Sequence, residues 1–186
     1  ILNRSRWLNA VTISCDLDDL ELLKSLKFIK KIEPVHLMKK KKHSETSNFY
    51  DHNRSFLYGS SQAQMEQINA IDAHDMGYFG QGVRVLYIDT GFNLEHEAFD
   101  SIQVISQYDF INSDNETANE TEQEFQNNQD EHGSLCLSVL SGFKEGQLIG
   151  PAFKSEFLLA KTEIVDQEIQ QEEDNYVAAL EWGEAL

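Results

Sequence analysis

Two side chains, Asp89 and His132, have the types and the settings to do chemistry together. Asp89 follows Val83-Arg84-Val85-Leu86-Tyr87-Ile88, a β-branched and aromatic run that predicts a buried strand. It therefore falls at a strand's carboxyl end, the usual place for working groups in an open α/β sheet. His132 lies in Asp130-Glu131-His132-Gly133-Ser134, just ahead of Leu135, Leu137, Val139 and Leu140, and is expected at the start of a buried helix. A carboxylate and an imidazole, in that order, supply two thirds of a nucleophilic triad: the imidazole takes a hydroxyl's proton and the carboxylate orients the ring. The third member, a serine on a motif of its own, is not evident between Ile1 and Leu186.

Other constellations are weaker. Gly80-Gln81-Gly82 precedes its strand, whereas a phosphate-cradling glycine loop must follow a strand and open a helix. His96 has no second histidine four residues on and is expected to be a surface or packing residue. His36, His43, His52 and His74 lack ligand spacing, and His74 is expected on the polar side of its helix. Cys15 and Cys136 form no Cys-x-x-Cys pair, so neither a zinc site nor a disulfide framework is predicted; both are expected to be buried thiols. Asn115-Glu116-Thr117 and Asn119-Glu120-Thr121 match a glycosylation pattern that polar loops often meet by chance.

The elements that must position the pair sit in an uneven field of charge. Residues 1–55 carry eleven Lys/Arg and seven Asp/Glu, a net of +4, and the remainder four and twenty-five, a net of −21. That step marks a module boundary. It also argues against nucleic acid as a partner, since phosphate contacts need Lys and Arg. No apolar run is long enough to span a bilayer. Residues 1–38 read as strand, helix, strand: a run from Trp7 to Cys15, a helix capped by Asp16 with Leu17, Leu20 and Leu23 on one face, and Phe28 to Glu33 before Pro34. Lys39 to Lys42 and the polar stretch after them form a linker. Gln64 to Met76 predicts one helix, capped by Ser60 or Ser61, and Asn112 to Glu131 a surface loop.

From about Gln64 onward the chain resembles the first part of a subtilisin-like serine protease (peptidase family S8). Gly80-Gln81-Gly82-Val83 through Asp89-Thr90-Gly91 is similar to that family's aspartate motif, and His132-Gly133-Ser134 to its histidine motif, with serine where threonine is commoner. Leu148-Ile149-Gly150-Pro151-Ala152 and Glu156 to Glu163 resemble the next turn and strand, and Glu172 to Leu186 the helix that follows in one branch. Residues 1–38 resemble the last half of a subtilase propeptide.

The resemblance implies an α/β fold with a subtilisin-like parallel sheet flanked by helices, preceded by a small α+β propeptide fragment. The expected divisions are 1–38 propeptide, 39–57 linker with the processing region, and 58–186 the amino-terminal part of the catalytic domain. It implies a serine-type endopeptidase made as an exported precursor, secreted or periplasmic. Its partners would be polypeptide substrates and its own propeptide, acting as an intramolecular inhibitor. Asp89 would orient His132 as general base, and the serine would lie beyond Leu186. No cofactor is required. Structural calcium is possible in the full-length protein, and the acidic stretch from Asp114 to Glu124 could supply oxygen ligands. The short segment Ser141 to Gln147 holds a lysine, so the family's tight calcium loop is not expected there. Two alternatives stand beside this reading: an aspartic-type protease using Asp89-Thr90-Gly91, and a non-catalytic binding protein on the same scaffold.

Overall fold

The computed structural model describes residues 1–35, 56–167 and 169–186. His36, His43, His52, the lysine run and nearly all of the expected linker lie outside the described residues.

The centre is a three-stranded parallel sheet, β3 (Arg84–Asp89), β4 (Gln103–Asp109) and β7 (Glu156–Lys161), with β7 in the middle. Its sequence is apolar from Phe157 to Ala160 because a middle parallel strand is covered on both faces. On one face Phe157 and Leu159 pack with Leu137 of α5 (Glu131–Ser141) and with Phe92 and Phe99. The opposite face, where Leu86 lies beside Leu158 in register, meets α6 (Gln170–Ala185). A Cβ added to Gly183 would come within 2.7 Å of the Leu86 side chain, so this helix approaches the sheet closely. A second core joins Tyr58, Met65, Ile71, Ile149 and Phe153, beside the short antiparallel pair β5 (Phe143–Lys144) and β6 (Leu148–Ile149). Among the described residues no helix is long and apolar enough to cross a membrane.

Several expectations are corrected. The predicted helix from Gln64 to Met76 is two, α2 (Gln62–Gln67) and α3 (Ala70–Asp75), because Asn69 takes a left-handed conformation (φ 56°) between them. His74 is not on a polar side: it is buried at 2% exposure, bonded through Nδ1 to the Tyr58 hydroxyl (2.9 Å) and through Nε2 to the Pro151 carbonyl (3.0 Å). Both ring nitrogens being satisfied, its burial among Tyr58, Phe79 and Phe153 leaves no polar atom unpaired.

At the amino terminus a hairpin of β1 (Asn3–Ser5) and β2 (Ala10–Thr12) replaces one long strand, with Trp7 in the turn and Asn9 in a left-handed conformation. The helix is present as α1 (Leu17–Lys24), with Asp16 before it. Phe28 to Glu33 forms no strand: Phe28 is 80% exposed, and no described neighbour pairs with this segment. Neither thiol is buried; Cys15 is exposed and Cys136 half-buried, and no disulfide joins them.

The polar stretch 112–131 is also more than a surface loop. It contains α4 (Glu122–Asn127), opened by a capping box in which Thr121 and Glu124 each accept from the other's backbone N–H. Glu124 does more: its Oε1 accepts from Lys161 Nζ at 2.6 Å. Lys161 and Asp109, both fully buried, pair at 2.8 Å. Burial pushes the Glu124 carboxyl up, but the Lys161 hydrogen bond and the N–H groups of Glu120 and Thr121 outweigh it and hold it down at about 2. Burial alone would lower the Lys161 ammonium; Asp109 and Glu124 raise it instead.

Two outcomes are expected. Lys161→Ala strands Asp109 as an unpaired buried charge and should cost about 3–5 kcal/mol in urea unfolding, whereas the pair Lys161→Met with Asp109→Leu should cost less. Glu124, whose folded value lies below its ordinary 4.5, contributes stability that is complete above that pH and is lost as pH falls towards about 2. Acid unfolding of Glu124→Gln should lose that part of its pH dependence.

Candidate active site

The carboxyl ends of the three parallel strands carry Asp89, Lys161 and Asp109 side by side, Lys161 being the register partner of both. Asp89 is 8% exposed. Its Oδ1 accepts from the Thr90 backbone N–H at 2.7 Å, which sets the carboxylate's orientation. The chain then turns through Gly91, at φ +138°, where an added Cβ would lie 2.7 Å from the Thr117 carbonyl. Phe92 beyond it donates its N–H to that carbonyl and buries its ring in the core.

Helix α5 begins directly above this turn. The first N–H groups of a helix lack intrahelical partners, and Thr90 supplies one: its Oγ1 accepts from Gly133 N at 3.2 Å. Residue 133 has to be glycine, since a Cβ there would meet the Gly91 carbonyl oxygen at 2.2 Å and Asp89 Cβ at 3.1 Å. Asp130, before the helix, does not cap it with its side chain. It is clamped to Asn119, accepting from the Asn119 amide (2.9 Å) and backbone (3.2 Å) while its own N–H donates to Asn119 Oδ1 (3.0 Å). Gln129 is 2% exposed and donates to the carbonyls of Thr90 (2.7 Å) and Glu163 (2.6 Å), while its Oε1 accepts from Val165 N (3.0 Å). One side chain thus joins the turns after β3 and β7 to the start of α5.

These constraints bring the two sequence-predicted residues together. His132 Nδ1 lies 2.7 Å from Asp89 Oδ1. A carboxylate can only accept, so the proton of this bond sits on Nδ1 and the neutral ring keeps a lone pair on Nε2. The His132 side chain is 57% exposed, so Nε2 is open to a proton donor. One turn further along α5, Cys136 Sγ stands 3.6 Å from Nε2. Tyr87, on the same strand as Asp89, has its hydroxyl pushed up to about 12, first by burial and then by the neighbouring Cys136 and Asp89.

The remaining candidates have other work. His96 is exposed and accepts from the Ala98 N–H at the head of a short 3-10 turn. Gly80-Gln81-Gly82 forms a turn before β3, with the Gln81 amide bonded to Phe79 N and Gly77 O. In the acidic segment, Asp109, Asp114 and Glu120 bring carboxylate oxygens within 4.8 Å of one another, but Lys161 already balances Asp109. Thr117 of the first glycosylation pattern is fully buried and donates to Gln107 Oε1.

Thr90 and Asn119 stood out in the sequence only as members of the Asp89-Thr90-Gly91 and Asn119-Glu120-Thr121 patterns, and Gln129 not at all; their positioning contacts join segments that folding alone brings near. Cys136 did carry a readable signal: it lies four residues after His132, hence on the same helical face.

Residues 1–52 match the family model of the peptidase S8 propeptide domain of Bacteroidota. The amino-terminal part of the chain is thus a subtilisin-like S8 propeptide fragment, and such a segment points to a protease parent. A search of curated proteins gives no match.

The close approach of the two turns sets an expectation. Gly133→Ala should destabilise the protein by about 1–3 kcal/mol in thermal unfolding, as overpacking does. It should also broaden or remove the low-field proton resonance of the His132–Asp89 bond. A variant with unchanged stability and an intact resonance would contradict the geometry.

Proposed function

We propose that the chain is the amino-terminal part of a subtilisin-like serine endopeptidase precursor, with Asp89 and His132 as two members of its triad and the nucleophilic serine in sequence beyond Leu186. The observation that carries this reading is the 2.7 Å bond between Asp89 Oδ1 and His132 Nδ1, which leaves Nε2 as an available base. The S8 propeptide match at residues 1–52 supports it independently.

In this mechanism His132 Nε2 takes the serine proton as the hydroxyl attacks the scissile carbonyl, then returns it to the leaving amine. Asp89 holds the ring in the Nδ1–H tautomer and stabilises the imidazolium. Thr90, through the carboxylate and the Gly133 N–H, and Gln129, through the Thr90 carbonyl, position the pair without touching substrate. An aspartic dyad needs a second carboxylate sharing Asp89's proton; the imidazole engages Asp89 instead. A filled Asp–His pair likewise counts against a purely non-catalytic scaffold.

The amino-terminal hairpin serves as an intramolecular inhibitor in this reading, and it docks on α6. Glu181 accepts from Ser5 Oγ (2.6 Å) and from the backbone N–H groups of Arg6 and Trp7 (both 3.0 Å). The Ser5 bond, with those of Trp7 and Arg6, holds the Glu181 carboxyl below its ordinary value. Glu184 accepts from the Arg6 guanidinium and from Trp7 Nε1, and Thr12 Oγ1 bonds Asp174. The basic module thus meets the acidic one through specific carboxylates. Export of the parent to the periplasm or medium, polypeptide substrates and an activity that needs no cofactor belong to the same proposal.

The intact protein should hydrolyse peptide substrates and be labelled by a fluorophosphonate but be indifferent to pepstatin. His132→Ala should lower kcat by about 10⁵–10⁶-fold and Asp89→Asn by about 10⁴-fold. Pepstatin sensitivity, or full activity in His132→Ala, would overturn the assignment. The segment Ile1–Leu186 by itself should be inactive. Glu181→Ala should weaken inhibition by the added propeptide roughly ten-fold, and rising salt should weaken it further through Arg6 and Glu184.

A further inference from the structure

Helix α6 carries acid without base. Its 16 residues include Glu172, Glu173, Asp174, Glu181 and Glu184 but no lysine, arginine or histidine. The donors that meet its outer carboxylates come from the amino-terminal hairpin, which lies inside the propeptide match and leaves when a propeptide is removed. We propose that the face of α6 bared by that departure is a docking surface for polypeptide substrates, and that it takes a basic β-turn placed amino-terminal to the bond to be cut. The cut rests on the peptidase reading above; recognition of the turn does not.

The hairpin shows what fits. Asn9 N–H donates to the Arg6 carbonyl at 3.3 Å and closes a tight turn. Ser5 Oγ and the main-chain N–H groups of Arg6 and Trp7 converge on Glu181, and the Arg6 guanidinium and Trp7 Nε1 on Glu184. Among the described residues, Arg6 is the cation that pairs with Glu184. Without the hairpin, Glu181 loses three donors and Glu184 two, and nothing on their own helix replaces the charge. A replacement needs main-chain amides, which any turn offers, and a guanidinium beside them. The net charge of −21 carried by the residues after 55 concentrates basic chains near that surface.

The surface lies apart from His132 and yet points towards it. Gly183 meets the Leu86 side chain, and Arg84 Nη1 donates to the Leu186 carbonyl at 2.8 Å, so Glu181 and Glu184 sit by the amino-terminal half of β3. Asp89 closes the other end of that strand, about 16 Å from Arg84 at a strand's rise per residue. A turn held by these carboxylates therefore leaves the Asp89–His132 pair open. The start of α6 lies at the carboxyl ends of the strands, where Glu172 accepts from Ile164 N–H at 2.8 Å. The propeptide passes that end too: the Val35 carbonyl accepts from Gln170 Nε2. From Glu184 back to Gln170 is about 21 Å of helix. A chain running the same way needs about six or seven extended residues to cover it.

The test uses the intact protein after its propeptide has been cleaved, by itself or by an added protease, and washed away. Its substrates are fluorogenic peptides in which a cyclised Ser-Arg-Trp-Leu-Asn turn precedes the cleaved segment, joined by Gly/Ser spacers of about three or about fifteen residues. With the long spacer KM should fall about ten-fold against the untagged peptide at unchanged kcat, because the second contact is then intramolecular. The short spacer should give no gain. Alanine in place of the turn's arginine, or added salt, should remove most of the gain. Glu181→Gln with Glu184→Gln should bring tagged and untagged rates together. Equal gains with both spacers, or a gain that survives the arginine replacement, would overturn the surface. So would competitive inhibition of untagged hydrolysis by the free cyclised turn, which would place the turn in the cleft. Binding of a labelled turn, lost in E181Q/E184Q, by a protein that hydrolyses nothing would keep the docking surface and sink the peptidase reading. Hydrolysis of the untagged peptide with no gain from any turn would do the reverse.

Discussion

An ammonium group buried at the end of the middle strand organises this molecule. Lys161 is fully enclosed, and such a charge is tolerable only where carboxylates meet it with good geometry. Asp109 does so from the neighbouring strand and Glu124 from α4. The polar segment between β4 and α5 contains few apolar residues to hold it down, so its attachment depends on that charge. Glu124 serves two masters: it closes the capping box of α4 and pins the helix to the sheet. From there the chain runs through Gln129 and Asp130 directly into the helix that bears His132.

The site inherits this rigidity. Asp89 is held by the strand and by Thr90; His132 is held by a helix whose start is bonded to Thr90 and Asn119, while Gln129 just before it bonds the Thr90 carbonyl. Small residues let these parts approach: Gly91 and Gly133 meet where no side chain would fit. An imidazole–carboxylate bond at a half-exposed position would otherwise cost the entropy of fixing two side chains. Here the backbone has already been fixed by buried hydrogen bonds, and the bond forms between groups that have few other places to go.

Much of this could be read from residues alone. The apolar run before Asp89 announced a strand and the leucines after His132 a helix, because burial on a sheet imposes those periods on the chain; the strand that became β7 was expected from the resemblance of Glu156 to Glu163. The pairing of Asp89 with His132 was legible through their chain order and through the resemblance of the two motifs to those of one family. What escaped has a common physical basis. Helix α4 is polar but for the exposed Phe125 and owes its existence to a capping box and one buried lysine, neither of which leaves a hydrophobic period. His74 carries a polar label, but Tyr58 and the Pro151 carbonyl satisfy it inside an aromatic cluster. The break at Asn69 depends on one backbone angle. The strand expected at Phe28 had the right residue types, but a strand is defined by a neighbour, and none of the described segments lies beside it.

The contact between the hairpin and α6 has a consequence for how the two modules can change over time. Two of the three donors that Glu181 accepts from are main-chain N–H groups, those of Arg6 and Trp7. Main-chain amides are present whatever side chain follows them, proline apart. The tip of the hairpin could therefore drift through many sequences while its grip on the helix persisted, provided the turn kept its shape. Recognition written in the backbone frees one module to diverge faster than the surface it binds.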